Sequence, residues 1–362
     1  MARRPRDTEA PVAETDDDRI VREAKKRFKK CADWEAQARQ RWIDDVKFVN
    51  GDSDNLYQWP VNVRNSRGQG TEDERPCLTV NKCQQHCFQV INDGRQNKSS
   101  GKVKPVGDGA TYEAAQVFEG LVRHTEYISN AQAIYTNVRT YQVWGGIGYC
   151  RVVTNYVDDV SFDQEPFIQP LDPLCVYLDP DIKEADGSDA RFGFVFADIP
   201  RDEFEIQYPK VQLDTVTSVL GNDEGAWVGE DKVRVAEYYY RNEVKDKLIV
   251  LTNPETGEKQ PIKLSETKGF VGALKEALDE AIADPYTKTR DIIGHEVKWV
   301  KIAGNEIIDR KDWAGDTIPI AFAEGIKTVI EGELDRKGHV RAMKDPQRRL
   351  NYHVSAEAEY VA

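Results

Sequence analysis

The chain has 362 residues, 31% of them charged, with 50 basic against 63 acidic side chains and a net charge of -13. That length can bury a core of more than one substructure. The acidic balance argues against a sequence-reading DNA binder, which carries a basic footprint, although it leaves room for a channel wall that DNA slides past. No apolar run approaches the roughly 18 residues that a membrane span needs, and the basic start, MARRPRDTEAPVAETDDD, has no apolar stretch behind it and so does not read as a signal peptide.

Residues 1–16 read as a disordered tail. Asp16, Asp17 and Asp18 then place negative charge where a helix dipole favours it. Ile20, Ala24, Phe28, Cys31, Trp34, Ala38, Trp42 and Val46 follow as one apolar stripe, which predicts a long amphipathic helix over 17–49. Residues 51–74 are polar and rich in Gly and Asn and read as a loop. A second helix is expected from about Val80 to Ile91. A third begins at Thr111 and is renewed by a capping box, Ser129-x-x-Gln132, before ending at Gly145-Gly146.

Character changes there. Tyr149–Val157, Cys175–Leu178 and Arg191–Ala197 are rich in β-branched and aromatic residues and read as strands, broken by prolines 170, 173, 180 and 200. Val233–Arg241 and Lys247–Thr252 predict two more, with Asn253–Gly257 as a turn into a further short strand. A helix is expected over 265–283, stopped at Asp284-Pro285. Ile292–Ile302 and Glu306–Asp309 form a hairpin across Ala303-Gly304-Asn305. The expected fold class is therefore α+β: long helices first, then a β-rich body with a helical insertion.

The last segment reads KDPQRRLNYHVSAEAEYVA. Asp345 suits an N-cap and Pro346 the first helical position. Leu350, Val354, Ala358 and Val361 recur at helical spacing. No Gly, Asn or Pro closes this helix, which predicts that the sequence stops inside it. The stripe of Leu350, Val354 and Val361 is then short of partners within this chain. Arg341, Lys344, Arg348 and Arg349 crowd the same region, with Lys344 and Arg348 on one face.

Motifs for chemistry are sparse. There is no phosphate loop of the form G-x-x-x-x-G-K-[ST] and no G-x-S-x-G. Gly145, Gly146 and Gly148 follow a helix and precede a strand, the reverse of a phosphate-binding order. His295-Glu296 lacks the second His of a zincin helix. Six cysteines are present; Cys83, His86 and Cys87 share a helix face, but their spacing matches no zinc signature. They read as core. Asp172, Asp179, Asp181, Glu184, Asp186 and Asp189 gather enough oxygens to attract a divalent ion, yet lack ligand order and read as turn chemistry. No catalytic residue, metal site or cofactor is expected.

An ordered series of short motifs runs through the chain: Arg75-Pro76, Leu78-Thr79-Val80-Asn81, Arg95-Gln96-Asn97, Lys104-Pro105, Gly145-Gly146 with Gly148 and Arg151, Tyr177, Asp179-Pro180, Ser188-Asp189-Ala190-Arg191, Ile318-Pro319-Ile320 and Lys344-Asp345-Pro346-Gln347-Arg348. In that order the series resembles the portal proteins of short-tailed bacteriophages. The resemblance implies a structural protein and not an enzyme. It implies a helical part of the wing over 17–146, a β-rich wing body over 147–338, and a first stem helix over 339–362. It further implies a homododecameric ring at one capsid vertex of the virion, assembled in the host cytoplasm. Partners would be the terminase large subunit, scaffolding and capsid protein, head-completion and tail proteins, and double-stranded DNA passing non-specifically, with no membrane. Arg341, Lys344, Arg348 and Arg349 would then face the DNA channel or a neighbouring subunit. The alternatives on the residues alone are a metal-dependent hydrolase using the 172–189 carboxylates, or a non-portal head–tail connector.

Overall fold

In a computed structural model the described residues are 15–51, 57–98, 101–106, 110–211, 231–252, 259–264, 267, 272–283 and 287–361. Most of the expected tail, the Asn253–Gly257 turn, the Asp284-Pro285 stop and Ala362 lie outside them.

The first helix, α1 (Asp16–Asn50), starts where its sequence supplies a reciprocal cap. Thr15 accepts from the Asp18 N–H, and Asp18 accepts from the Thr15 N–H, each at 3.2 Å. Its buried face is Val21, Ala24, Phe28, Cys31, Glu35, Ala38, Trp42, Asp45, Phe48 and Val49. Two carboxylates therefore sit on a face expected to be apolar, while Trp34 and Val46 are only half-buried.

The stretch expected to be loop contains a short helix, α2 (Val61–Ser66), behind the buried pair Gln58 and Trp59. Next come α3 (Lys82–Gln96), α4 (Tyr112–Ile128) and α5 (Ala131–Gly145). The expected Ser129 capping box does not form. Asn130 is the residue before α5, in the left-handed region at φ 50° and without a side-chain cap. Ser129 Oγ instead accepts the Ile168 N–H at 2.9 Å, so the break between α4 and α5 is held by a strand.

Eleven strands are described: β1 (Ile147–Tyr156), β2 (Gln164–Leu171), β3 (Val176–Leu178), β4 (Phe192–Pro200), β5 (Lys232–Thr252), β6 (Lys259–Lys263), β7 (Thr289–Ala303), β8 (Glu306–Trp313), β9 (Ile320–Glu324), β10 (Ile326–Ile330) and β11 (Glu333–Lys337). All pair antiparallel, as three sheets: β3-β4-β5-β7-β8 with β6 on β5, then β2-β1-β9, then β10-β11. The two strands expected at 233–241 and 247–252 are one strand, because β7 pairs with β5 without interruption from Val235 to Ile249. Among the described residues two helices interrupt the strands: α6 (Arg201–Gln207), which the sequence reading missed, and α7 (Ala273–Ala283), within the expected 265–283, of which 265, 266 and 268–271 lie outside the described residues. The fold is α+β.

The front half of α1 lies on the large sheet, where Phe28 meets Phe194 and Phe196 beside Tyr238 and Ile302. Farther along, Trp42 joins a second cluster with Ile147, Tyr149, Val176 and Leu178, which ties the two larger sheets together. The end of α1 contributes Phe48 and Val49 to a third, with Cys83, Cys87, Ile91, Val143 and Val340.

Gly146 caps α5 at φ 94°, as expected, its N–H on the Gln142 carbonyl at 2.9 Å. A Cβ there would lie 2.7 Å from the Lys337 backbone, and one on Gly338 would lie 2.3 Å from the Val143 carbonyl. Bare backbone thus lets the end of β11 cross the end of α5, and that crossing launches α8 (His339–Val361). Among the described residues no helix is long and apolar enough to cross a membrane.

Candidate functional site

Helix α8 begins at His339 and not at Asp345, so Pro346 stands inside it. Proline in a helix interior removes one hydrogen bond and crowds the preceding turn. The helix survives because it is pinned on both sides of that residue.

On the upstream side the anchor is Asp45 of α1, whose side chain is wholly buried. Arg341 grips it with Nε at 2.8 Å and Nη2 at 2.6 Å from the same oxygen, and Lys344 Nζ reaches the other oxygen at 2.6 Å. Burial works against the charge on Arg341, but the hydrogen bonds and attraction of Asp45, then of Asp335, raise its pKa above the ordinary value. Lys344 and Arg348 also lie over the Phe48 ring, at 5.6 and 5.5 Å.

On the downstream side the seam is polar. Gln347, Asn351 and Ser355 are the buried residues of α8 after the proline, four positions apart and therefore on one face. They meet the extended run leading into α3. Ser355 Oγ accepts from Leu78 N–H at 2.9 Å, Asn351 Oδ1 from Val80 N–H at 3.1 Å, and Gln347 Oε1 from Lys82 and Cys83 N–H at 3.0 Å each. Gln347 Nε2 returns a bond to the Val80 carbonyl at 2.7 Å. The geometry has a simple origin. Four helical residues rise about 6 Å, and two extended residues span about 6.6 Å, so alternate amides of the run fall opposite every fourth residue of the helix. Helix side chains thus satisfy donors that a neighbouring strand would otherwise pair. Asn351 also donates to Gln58 Oε1 at 2.9 Å, and Gln58 donates to the Phe48 carbonyl at 3.0 Å. Near the far end Glu359 meets Arg67 at 2.8 Å.

The expectation that this helix lacks partners within the chain is therefore corrected for its polar face. Leu350 and Val354 are half-buried, and Val361 is 80% exposed. Of the four cations singled out, Arg341 and Lys344 are committed to Asp45 in the same chain. Arg348 has Asp345 at 3.4 Å, and Arg349 is exposed. Sequence reasoning missed Gln347, Asn351, Ser355 and Asp45. The available signals were three polar residues at four-residue spacing, and an Asp on the apolar face of α1.

A second buried ionic node ties α1 to β11. Arg336 Nη2 lies 3.0 Å from one oxygen of Glu35, Arg39 lies 2.7 Å from the other, and Arg336 also reaches Tyr149 Oη at 3.3 Å. Burial alone would raise the Glu35 pKa. Arg336 and Arg39 outweigh it, and the net direction is downward from the ordinary value.

The acidic cluster is turn chemistry. Asp172 accepts from Leu174 N–H, Asp186 from Ser188 N–H, and Asp189 from the N–H groups of Lys183 and Glu184. Asp179, buried, takes Arg191 at 2.7 and 3.0 Å. Among the described residues no cluster of His, Cys, Asp and Glu is arranged to hold a metal ion. Cys83 and Cys87 are buried in the third core cluster, while His86 is exposed.

The ionic and polar groups traced here join elements to one another, as in a structural body, and seat α8 against α1 and the run before α3. The comparisons agree with that class. The family model of the phage P22-like portal protein matches residues 25–362, and the chain belongs to that family. A portal protein of Acyrthosiphon pisum secondary endosymbiont phage 1 is 24% identical over 296 residues, 79% of this chain and 40% of that protein. The chain thus spans about two fifths of that relative's length.

Proposed function

We propose that this chain forms the wing and the start of the stem of a portal ring at one vertex of a phage capsid, around a channel that DNA enters during packaging and leaves at ejection. The match to the P22-like portal family across residues 25–362 carries the reading. In it, residues 17–338 are the wing, and α8 opens the stem. Terminase, and later the head-completion and tail proteins, dock on the assembled ring; scaffolding and capsid protein surround it. Because Arg341 and Lys344 are spent on Asp45, Arg348 and Arg349 are the cations left to meet DNA or a neighbouring subunit. Leu350, Val354 and Val361 pack against stem helices of this or the next subunit.

The chain is assigned no catalysis. A hydrolase built on the 172–189 carboxylates has less support, since Asp172, Asp186 and Asp189 are engaged in turns, Asp179 with Arg191, and Asp181 with both Arg191 and Lys30. Purified protein of natural length, viewed by negative-stain microscopy, is expected to show closed rings with an axial channel and no ATP hydrolysis. A product that stays monomeric at every concentration, or that turns over ATP until Asp179→Ala and Asp181→Ala abolish it, overturns the reading.

A further inference from the structure

The motifs Arg95-Gln96-Asn97 and Lys104-Pro105 take no part in the contacts between elements described above. They belong to the last turn of α3 and the run that follows it. From Gly94 to Gly107 the sequence holds Arg95, Lys98, Lys102 and Lys104 and no acidic residue. All four cations are exposed, and among the described residues none has an ion-pair partner. A fifth comes from α5. A Cβ on Gly94 would collide with the Arg139 guanidinium, so bare backbone in α3 lets that side chain lie across the helix beside Arg95. Arg139 is half-buried and also has no ion pair among the described residues.

This patch runs against the sign of a chain whose net charge is -13. It is also separate from the cations of α8. The first turn of α3 is the end held by Gln347, and Arg95 stands about 20 Å farther along the helix. The composition of the patch decides what it can hold. Between Gly94 and Val106 there is no aromatic residue on which a base could stack. Pro105 and Val106 are the exposed apolar side chains there, too few for the core of a protein interface. Long cationic stems, with the exposed Gln96 among them, suit phosphate oxygens, which hold a duplex in place without reading its sequence.

We propose that Arg95, Lys98, Lys102 and Lys104, reinforced by Arg139, hold the phosphate backbone of duplex DNA at a surface of the body distinct from α8. This rests on the portal reading above, which supplies the DNA. The contact is made by charge alone, so it is weakened by salt and indifferent to sequence.

The test uses the gene product at its natural length, with binding to a mixed-sequence duplex followed by fluorescence anisotropy at rising salt. The variant carrying Arg95→Gln, Lys98→Gln, Lys102→Gln and Lys104→Gln should bind at least about tenfold more weakly at low salt. Its plot of log affinity against log salt should flatten by about three or more, as expected for the loss of four phosphate contacts. The control carries the same change of charge elsewhere, at the exposed Lys26, Lys29, Lys245 and Lys275, each replaced by Gln, and should bind as the parent does. Circular dichroism of both variants should match the parent, which separates lost binding from lost folding. Unchanged affinity in the patch variant, or an equal loss in the control, overturns the proposal. So does a patch variant that binds the duplex normally but assembles poorly in negative stain, since the patch is then a subunit contact. A parent that forms rings yet binds no duplex overturns the proposal and leaves the portal reading intact. A parent that never forms rings overturns both.

Discussion

Asp45 and Glu35 are the residues on which the account of α1 turns, because each is a carboxylate buried where the helical stripe calls for an apolar side chain. Removing one partner of a buried ion pair leaves the other charge uncompensated and costs about 3–5 kcal/mol. Asp45→Asn leaves Lys344 without its counter-charge and Arg341 with Asp335 alone, at 3.4 Å, so equilibrium denaturation should show a loss toward the lower end of that range. Glu35 adds a dependence on pH. Its carboxyl titrates below its ordinary value of 4.5 in the folded chain, so the unfolded chain takes up the proton first. The stabilisation is complete above about pH 4.5 and drains away as pH falls below it. Stability followed from pH 7 to pH 3 should therefore decline less steeply in Glu35→Gln than in the parent, although the variant starts lower. An unchanged slope would mean that the Arg336–Glu35–Arg39 node does not set this part of the acid limb.

At the scale of elements, the seam between α8 and residues 78–83 is held by side-chain to backbone hydrogen bonds where an apolar stripe is the usual device. A buried amide left without its acceptor costs about 1–3 kcal/mol. Asn351→Ala should thus destabilise by that order and should raise hydrogen exchange at Val80 most. Gln347→Ala should do the same at Lys82 and Cys83. Equal exchange at these amides in parent and variants would show that water or another group already serves them. The seam also explains what the sequence hides. Periodicity picks out Leu350, Val354 and Val361 because hydropathy is the signal it reads, whereas Gln347, Asn351 and Ser355 are recognisable only once the extended run is known to lie beside them. The misplaced helix start has the same cause: Asp345-Pro346 is a good local N-terminus, overridden by Arg341 and Lys344 one turn earlier, gathered on an Asp almost 300 residues away.

Across the whole molecule, local chemistry was legible and long-range pairing was not. The helix start marked by Asp16, Asp17 and Asp18 and the turn at Gly146 follow from residues within a few positions of each other, and the β-branched and aromatic run expected over Tyr149–Val157 marks most of β1 by itself. The single strand β5, by contrast, is continuous because β7 lies against it without a break from Val235 to Ile249, and α2 is hidden in a polar stretch whose few apolar residues, Trp59, Val61 and Val63 among them, make no helical stripe. The ordered motifs from Arg75 to Arg348 led to the family where no single site could. The measurement that tests the portal assignment most directly is electron cryomicroscopy of packaged particles reconstructed without imposed icosahedral symmetry. Density for this chain should occupy one vertex, as a closed ring with α8 directed along the channel around the DNA. Finding the chain at every vertex, in the tail alone, or nowhere in the particle would contradict it.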